Sequence, residues 1–149
     1  MEGLEKAKGQ AQNYGLRAEL SLGIRTNKGG FSSGVGFVWP KHIEVQNPGK
    51  LFNESRMYSI EVCHEVFGVI ILLSFYGVTG DNEKTFCNLR RACEALDATR
   101  CLYIICGDFN IEASDMSTKL GEWRSLSRLV HGGLSCFSGE SVSTIDYFI

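Results

Sequence analysis

The sequence has no surplus of basic residues, no long hydrophobic run, no Cys-x-x-Cys pair and no repeat, linker or low-complexity segment. Each absence narrows the field. A protein that coats nucleic acid regardless of sequence draws its affinity from neutralising phosphates and carries a cationic surplus. The formal charge here is −2. That argues against a simple coating protein and leaves room for an enzyme that grips a few phosphates. The longest apolar run, VIILL at 69–73, is far short of the ~20 residues a membrane-spanning helix needs, so no membrane association is expected. The opening MEGLEKAKGQ is charged and has no apolar stretch of the signal-peptide kind. An intracellular chain is expected; with no nuclear-type basic run, nucleus and cytoplasm are not separated. The six cysteines are Cys63, Cys87, Cys93, Cys101, Cys106 and Cys136. None clusters with histidine at ligand spacing, so no zinc site is expected. Cys63, Cys101 and Cys106 fall in apolar, strand-like runs, where a free cysteine acts as a small hydrophobe. The oligomeric state is not legible.

What is present is ordinary globular material. The length of 149 residues suits one domain, and 44% hydrophobic against 21% charged residues allows a real core. NKGGFSSG (27–34) reads as a loop. VGFVW (35–39) reads as a strand stopped by Pro40, with HIEVQ (42–46) as a possible hairpin partner before the turn NPGK. MYSIEVCHE (57–65) alternates with period two, the pattern of a half-buried strand, and the almost wholly apolar GVIILLSFYG (68–77) reads as its antiparallel central neighbour. From Asp81 to Arg100 the period changes. Phe86, Leu89, Cys93 and Leu96 mark one helix face, and Asp81 is the natural N-cap. CLYIIC (101–106) is another buried strand. Residues 116–133 suggest a helix or two; LSCF (134–137) and STIDYFI (143–149) are strands about a polar turn, SGES. The tally indicates an α/β (α+β) sandwich.

CLYIIC runs straight into Gly107-Asp108-Phe109-Asn110. Strand alternation would put Asp108 and Asn110 on one face, roughly 7 Å apart, with Phe109 turned into the core. Gly107 permits a turn or a close backbone approach. A carboxylate can take a proton from water or help hold a metal, and an amide can donate to a phosphate oxygen. The same four residues also suit a strand-to-turn junction closed by an Asx cap.

LYIICGDFN resembles the strand and GDFN motif of the endonuclease/exonuclease/phosphatase superfamily, whose members have a DNase I-like fold. GVGFVW resembles that family's Gly-Val strand. The segment from VIILLSFYGVTG through CEAL resembles its strand, aromatic-bearing turn and helix. SVSTIDYFI resembles its Ser-x-Ile-Asp-Tyr strand, in a form closest to non-LTR retrotransposon endonucleases. The match runs from about residue 12 to the C-terminus. It implies a two-sheet sandwich flanked by helices and hydrolysis of phosphodiester bonds, with DNA as partner and Mg²⁺ as cofactor. By position, Asp108 matches the acid that activates water, and Asn110 the amide that binds the scissile phosphate and positions that acid. Tyr76 matches the aromatic whose hydroxyl contacts the phosphate, and Asp146 the acid that orients a catalytic histidine. A strand-end core residue is the other reading of Tyr76, and a solvent-facing one of Asp146.

Two departures accompany the match. The family's metal-binding glutamate ends a Gln-Glu strand. Glu2 and Glu5 lie in a charged helical stretch, and Glu19, in GLRAELSLG, is expected to have no strand before it. The family's histidine lies in a Ser-Asp-His strand, and His42, His64 and His131 all stand in other contexts. The expectation is therefore a partial domain over 1–149, incomplete at both ends, whose metal ligands are unknown. The chain is then a fragment of a DNA endonuclease-like phosphodiesterase, or a non-catalytic remnant of the same fold acting as a binding module. A polyphosphoinositide phosphatase fits less well, and an unrelated α/β binding domain with a chance GDFN least.

Overall fold

The computed structural model describes residues 2–25, 31–123, 136–138 and 141–149. Two compact units make up the chain, Met1–Ser74 and Phe75–Ile149.

The first unit opens with helix α1 (Glu2–Asn13), followed by strand β1 (Leu16–Leu20). Lys8 joins them, its Nζ lying 2.8 Å from Glu19 Oε2. The short pair β2 (Ile24–Arg25) and β3 (Phe31–Ser32) comes next, then β4 (Gly36–Pro40). β1 and β4 pair antiparallel, Leu16 opposite Pro40 and Leu20 opposite Gly36. β4 in turn packs on β7 (Met57–His64). β5 (Val45–Gln46) and β6 (Asn53–Glu54) are two-residue strands that both pair with β7. β7 turns through Glu65–Phe67 into β8 (Gly68–Tyr76), its neighbour in the sheet. The core of this unit gathers Trp39, Phe52, Met57, Tyr58, Ile60, Ile71 and Leu73.

Four expectations change here. HIEVQ does not form a hairpin with 35–39. The chain turns after Pro40, where the Ile43 N–H donates to the Pro40 carbonyl at 3.0 Å, and only Val45–Gln46 is extended, against β7. The start of β7 is not half-buried: Met57, Tyr58, Ser59 and Ile60 are all buried. Ser59 tolerates this because its Oγ accepts from the Phe52 N–H at 2.9 Å, so a buried hydroxyl is satisfied. Glu19 does lie on a strand, β1. Cys63, on β7, is exposed and not a core hydrophobe.

In the second unit the end of β8 leads to helix α2 (Asn82–Thr99). Asp81 caps it as expected, accepting from the Lys84 N–H at 2.9 Å. A second polar tie lies beneath: Thr85 Oγ1, fully buried, accepts from the Val78 N–H at 2.7 Å. Of the expected face Leu89, Cys93 and Leu96 are buried, joined by Thr85 and Ala92, whereas Phe86 is only half-buried. Arg100 ends the helix in the left-handed region, φ 58°. β9 (Leu102–Asp108) follows, then helix α3 (Ala113–Glu122). β10 (Cys136–Ser138) and β11 (Ser141–Ser143) form an antiparallel pair, and β12 (Asp146–Phe148) pairs with β9.

The stretch 143–149 is thus two strands, not one. Between them Thr144 and Ile145 are drawn onto the segment after β9. The Thr144 N–H donates to Glu112 Oε2 (3.2 Å), the Ala113 N–H to the Thr144 carbonyl (3.1 Å) and the Phe109 N–H to the Ile145 carbonyl (2.8 Å). The helix expected over 116–133 starts earlier, at Ala113; residues 124–133 of that stretch, His131 among them, lie outside the described residues, as do 27–30 of the expected loop and 134–135 of the expected strand. None of the described helices is long and apolar enough to cross a membrane.

Candidate active site

Tyr76, Asp108, Asn110 and Asp146 all belong to the second unit, and the structure brings them to one place. β8 ends at Tyr76, β9 ends at Asp108, and β12 starts at Asp146, which stands directly opposite Asp108 in the antiparallel register. Opposed side chains in such a pair have Cβ atoms about 5 Å apart. The join between β8 and β9 is tighter than side chains allow. The Gly77 N–H donates to the Asp108 carbonyl at 2.7 Å. A Cβ on Gly77 would run into the Phe109 carbonyl, and one on Gly107, held at φ 148°, would run into the Phe75 carbonyl. Glycine at both positions is what lets the two strand ends meet.

Beneath the polar residues lies a column of rings. Phe109 stacks on Phe75 with centroids 5.2 Å apart and on Tyr147 at 4.2 Å, the latter nearly parallel at 7°. All three are buried; Phe109 is fully so, as its expected anchoring role requires. Each ring is the chain neighbour of a site residue: Phe75 of Tyr76, Phe109 of Asp108 and Asn110, Tyr147 of Asp146. Side chains of an extended chain alternate in direction. The rings therefore fill the core face and send the polar neighbours the other way.

Asn110 departs from the expected alternation. It has φ 54°, outside any strand. Its backbone N–H donates to Asp108 Oδ1 at 2.9 Å, closing an Asx turn, and its Nδ2 donates to the Gly77 carbonyl at 3.3 Å. A turn, not a shared strand face, joins the acid to the amide. The two readings of GDFN thus coexist in one geometry.

Burial pushes the Asp108 carboxyl above the ordinary carboxylate range, and the charge of Asp146 adds to the rise; the two bonds from Asn110 act against it. Asp146 itself is exposed. On the core side, the Tyr147 hydroxyl is buried with no hydrogen-bond partner among the described residues. Burial first, then the carboxylates of Asp108, Glu112 and Asp115, raise it well above the usual phenol value, so it stays protonated.

Sequence reasoning missed two contributors. Gly77 supplies both an N–H and a carbonyl to the site, and Glu112 anchors the approach to β12. The Gly after Tyr76 was visible in SFYG, but nothing in the sequence shows that a backbone carbonyl would lie against it. Glu112 gave no signal, because its partner is a backbone N–H 32 residues away.

The cofactor implied by the sequence resemblance is Mg²⁺. That ion takes near-octahedral oxygen coordination. Among the described residues no group of three or more His, Cys, Asp and Glu side chains is placed to hold a metal. Glu19, in the first unit, is engaged with Lys8. The described side chains do not make up a complete Mg²⁺ set.

Strands ending together on a glycine-tight junction, with helices between them, define a mixed α/β fold of the DNase I-like kind. The solved structures it resembles include the endonuclease domain of TRAS1, a telomere-specific non-LTR retrotransposon, with a TM-score of 0.59 at 15% identity over 90% of this chain and 66% of that one. They also include the human Nocturnin catalytic domain with a bound sulfate anion, with a TM-score of 0.54 at 15% identity over 95% of this chain and 62% of that one. The chain spans less than two thirds of the length of either structure's own chain on these figures. No protein-family model and no curated protein sequence matches.

Proposed function

We propose that the chain is part of a phosphodiesterase domain acting on nucleic acid, of the non-LTR retrotransposon endonuclease type. The observation that carries this reading is the meeting of Asp108, Asn110, Tyr76 and Asp146, far apart in sequence, at one glycine-tight strand junction. Asp108 is the group that takes the proton from the attacking water. A carboxyl raised by burial is a stronger base than a solvated one and is better matched to that task near neutral pH. Asn110 has two side-chain N–H donors. The amide is fixed by the Gly77 carbonyl and by a side-chain bond to Asp108, which holds it beside the acid where a phosphate oxygen would exchange for one of these partners. Tyr76, at the end of β8, supplies a hydroxyl beside that oxygen, and Asp146 orients a basic partner group. Mg²⁺ in such a site would polarise the phosphate. No step is assigned to it here, since the described side chains do not form its ligand set.

A second reading, a binding module of the same fold without hydrolysis, is favoured by one observation: the lack of a three-ligand metal group among the described residues. Supercoiled-plasmid nicking separates the two. Under the first reading the complete domain nicks DNA, EDTA stops it, and Asp108→Ala abolishes it while leaving the fold intact; residues 1–149 alone, with no three-ligand metal group among the described residues, nick little or not at all. Oligonucleotide binding without any nicking by the complete domain identifies the second. Nicking unchanged by Asp108→Ala refutes the site assignment outright.

A further inference from the structure

The second unit carries a separate groove between α2 and α3, with a volume of about 660 Å³, within the ~300–1,000 Å³ range of small-ligand clefts. Its floor is aromatic. Phe86 of α2 and Trp123, which caps the end of α3, meet edge to face at 87° with centroids 6.1 Å apart. In an edge-to-face pair, one ring keeps both of its faces clear of the other. Three cations line the same groove, Arg90 and Arg91 from α2 and Lys119 from α3, against two carboxylates, Glu83 and Glu94. On a chain with a formal charge of −2, this is a local gathering of cations. Lys119 Nζ sits 5.6 Å from the Phe86 ring centroid, placing a cation directly beside the aromatic floor.

Two of the cations, Arg90 and Lys119, are committed only lightly. Arg90 pairs with Glu94 at 3.0 Å and Lys119 with Glu122 at 2.7 Å, but both are exposed helix-surface pairs. Such pairs are worth a few tenths of a kcal/mol, so a phosphate displaces the carboxylate at little cost. Cations interleaved with rings are how single-stranded nucleic acid is held without reading its sequence: bases stack on the rings and the backbone tracks the charge. An acidic peptide would use the charge but not the rings.

We infer that the groove between α2 and α3 binds a single-stranded nucleic-acid segment, with bases against Phe86 and Trp123 and phosphates against Arg90, Arg91 and Lys119. None of these residues belongs to the site at Asp108. Trp123 lies about 15 Å along α3 from Ala113, by the rise of 1.5 Å per residue. The inference rests on the nucleic-acid reading above but on different side chains, so each can fail alone.

The test is fluorescence anisotropy of a labelled twelve-residue oligothymidylate with the full chain, titrated across salt concentrations. Binding is expected, with log K falling linearly in log salt. The double variant Arg90→Glu/Lys119→Glu should bind at least tenfold more weakly and lower the slope by about 1.4, two contacts at ~0.7 each for a single strand. Arg90 and Lys119 lie on the helix surface, at 65% and 38% side-chain exposure, and a urea midpoint equal to the parent's checks that the variant is folded. Trp123→Ala should weaken binding with the slope unchanged, and Trp123→Phe should restore most of it. Asp108→Asn should leave oligonucleotide affinity unchanged while removing nicking by the complete domain. Nicking unaffected by Asp108→Asn, with this affinity intact, defeats only the hydrolytic reading. No binding by the parent chain, binding indifferent to the charge reversal, or equally tight binding of polyglutamate would overturn the inference.

Discussion

Alanine at Gly77 or Gly107 is the most direct perturbation of the junction that holds the site together. Each new methyl would sit well inside van der Waals contact with a backbone carbonyl, of Phe109 and Phe75 respectively. A backbone atom cannot rotate away as a side chain does, so β8 and β9 must part, by more than about 1 Å, to reach ordinary contact. Overpacking of this kind costs about 1–3 kcal/mol. Gly107 carries a further term because its φ of 148° is one that side-chain-bearing residues rarely adopt, which costs ~1–3 kcal/mol. Gly77 has no such φ. The expected losses are therefore about 1–3 kcal/mol for Gly77→Ala and about 2–6 kcal/mol for Gly107→Ala. With a denaturant slope near 2 kcal/mol per molar, the urea midpoint falls by about 0.5–1.5 M and about 1–3 M. Gly80→Ala is the internal control: φ is 75° and nothing lies within 4 Å of its added Cβ, so only the backbone term of ~1–2 kcal/mol remains. Displacing Asp108 by an ångström should also cut nicking by the complete domain about a hundredfold, even where the variant is fully folded. A Gly77→Ala domain with parental midpoint and parental nicking would refute the close-approach argument.

Tyr147→Phe should leave stability unchanged or raise it by up to ~1–3 kcal/mol, because it removes a buried hydroxyl with no partner among the described residues and keeps the ring on Phe109; a marked drop in the urea midpoint would show that the hydroxyl is bonded after all. Asp108→Asn should stabilise the protein at pH 7. Burial and Asp146 raise the folded carboxyl above its ordinary 3.8, so the native state loses stability as pH rises through that folded value, and the neutral amide escapes the loss. Comparing urea midpoints at pH 7 and pH 3 checks the sign: the advantage of the variant should vanish at the lower pH, where the unfolded carboxyl is protonated too.

The sequence spoke most clearly where one local rule decided the outcome. Asp81 and the 3.6-residue period through Leu89, Cys93 and Leu96 specify α2 nearly to the residue, because helix pairing is internal. The apolar run of β8 and the period in β7 located both strands. Leu16-Arg17-Ala18-Glu19-Leu20 also alternates, and the strand there was missed because the window is short and follows a helical stretch. Failures came where distant backbone decides. HIEVQ was read as a hairpin on Pro40, but Val45 found its partner in Val62. STIDYFI was read as one strand, but Glu112 and Phe109 break it at Thr144 and Ile145. At the site, residue types and the gathering place were legible. The means by which Asn110 reaches Asp108 was not, since a left-handed residue and a carbonyl at Gly77 leave no mark in the one-letter code.

The ring column has a consequence for how such a protein can change over generations. Phe75, Phe109 and Tyr147 answer to packing alone, while the residues beside them answer to chemistry, and the pleat keeps the two sets on opposite sides. Selection can therefore be relaxed on one set without loosening the other. A lineage that lost Asp108 or Tyr76 would keep its rings, its fold and its likeness to working relatives. One that lost Phe109 would forfeit all three at once.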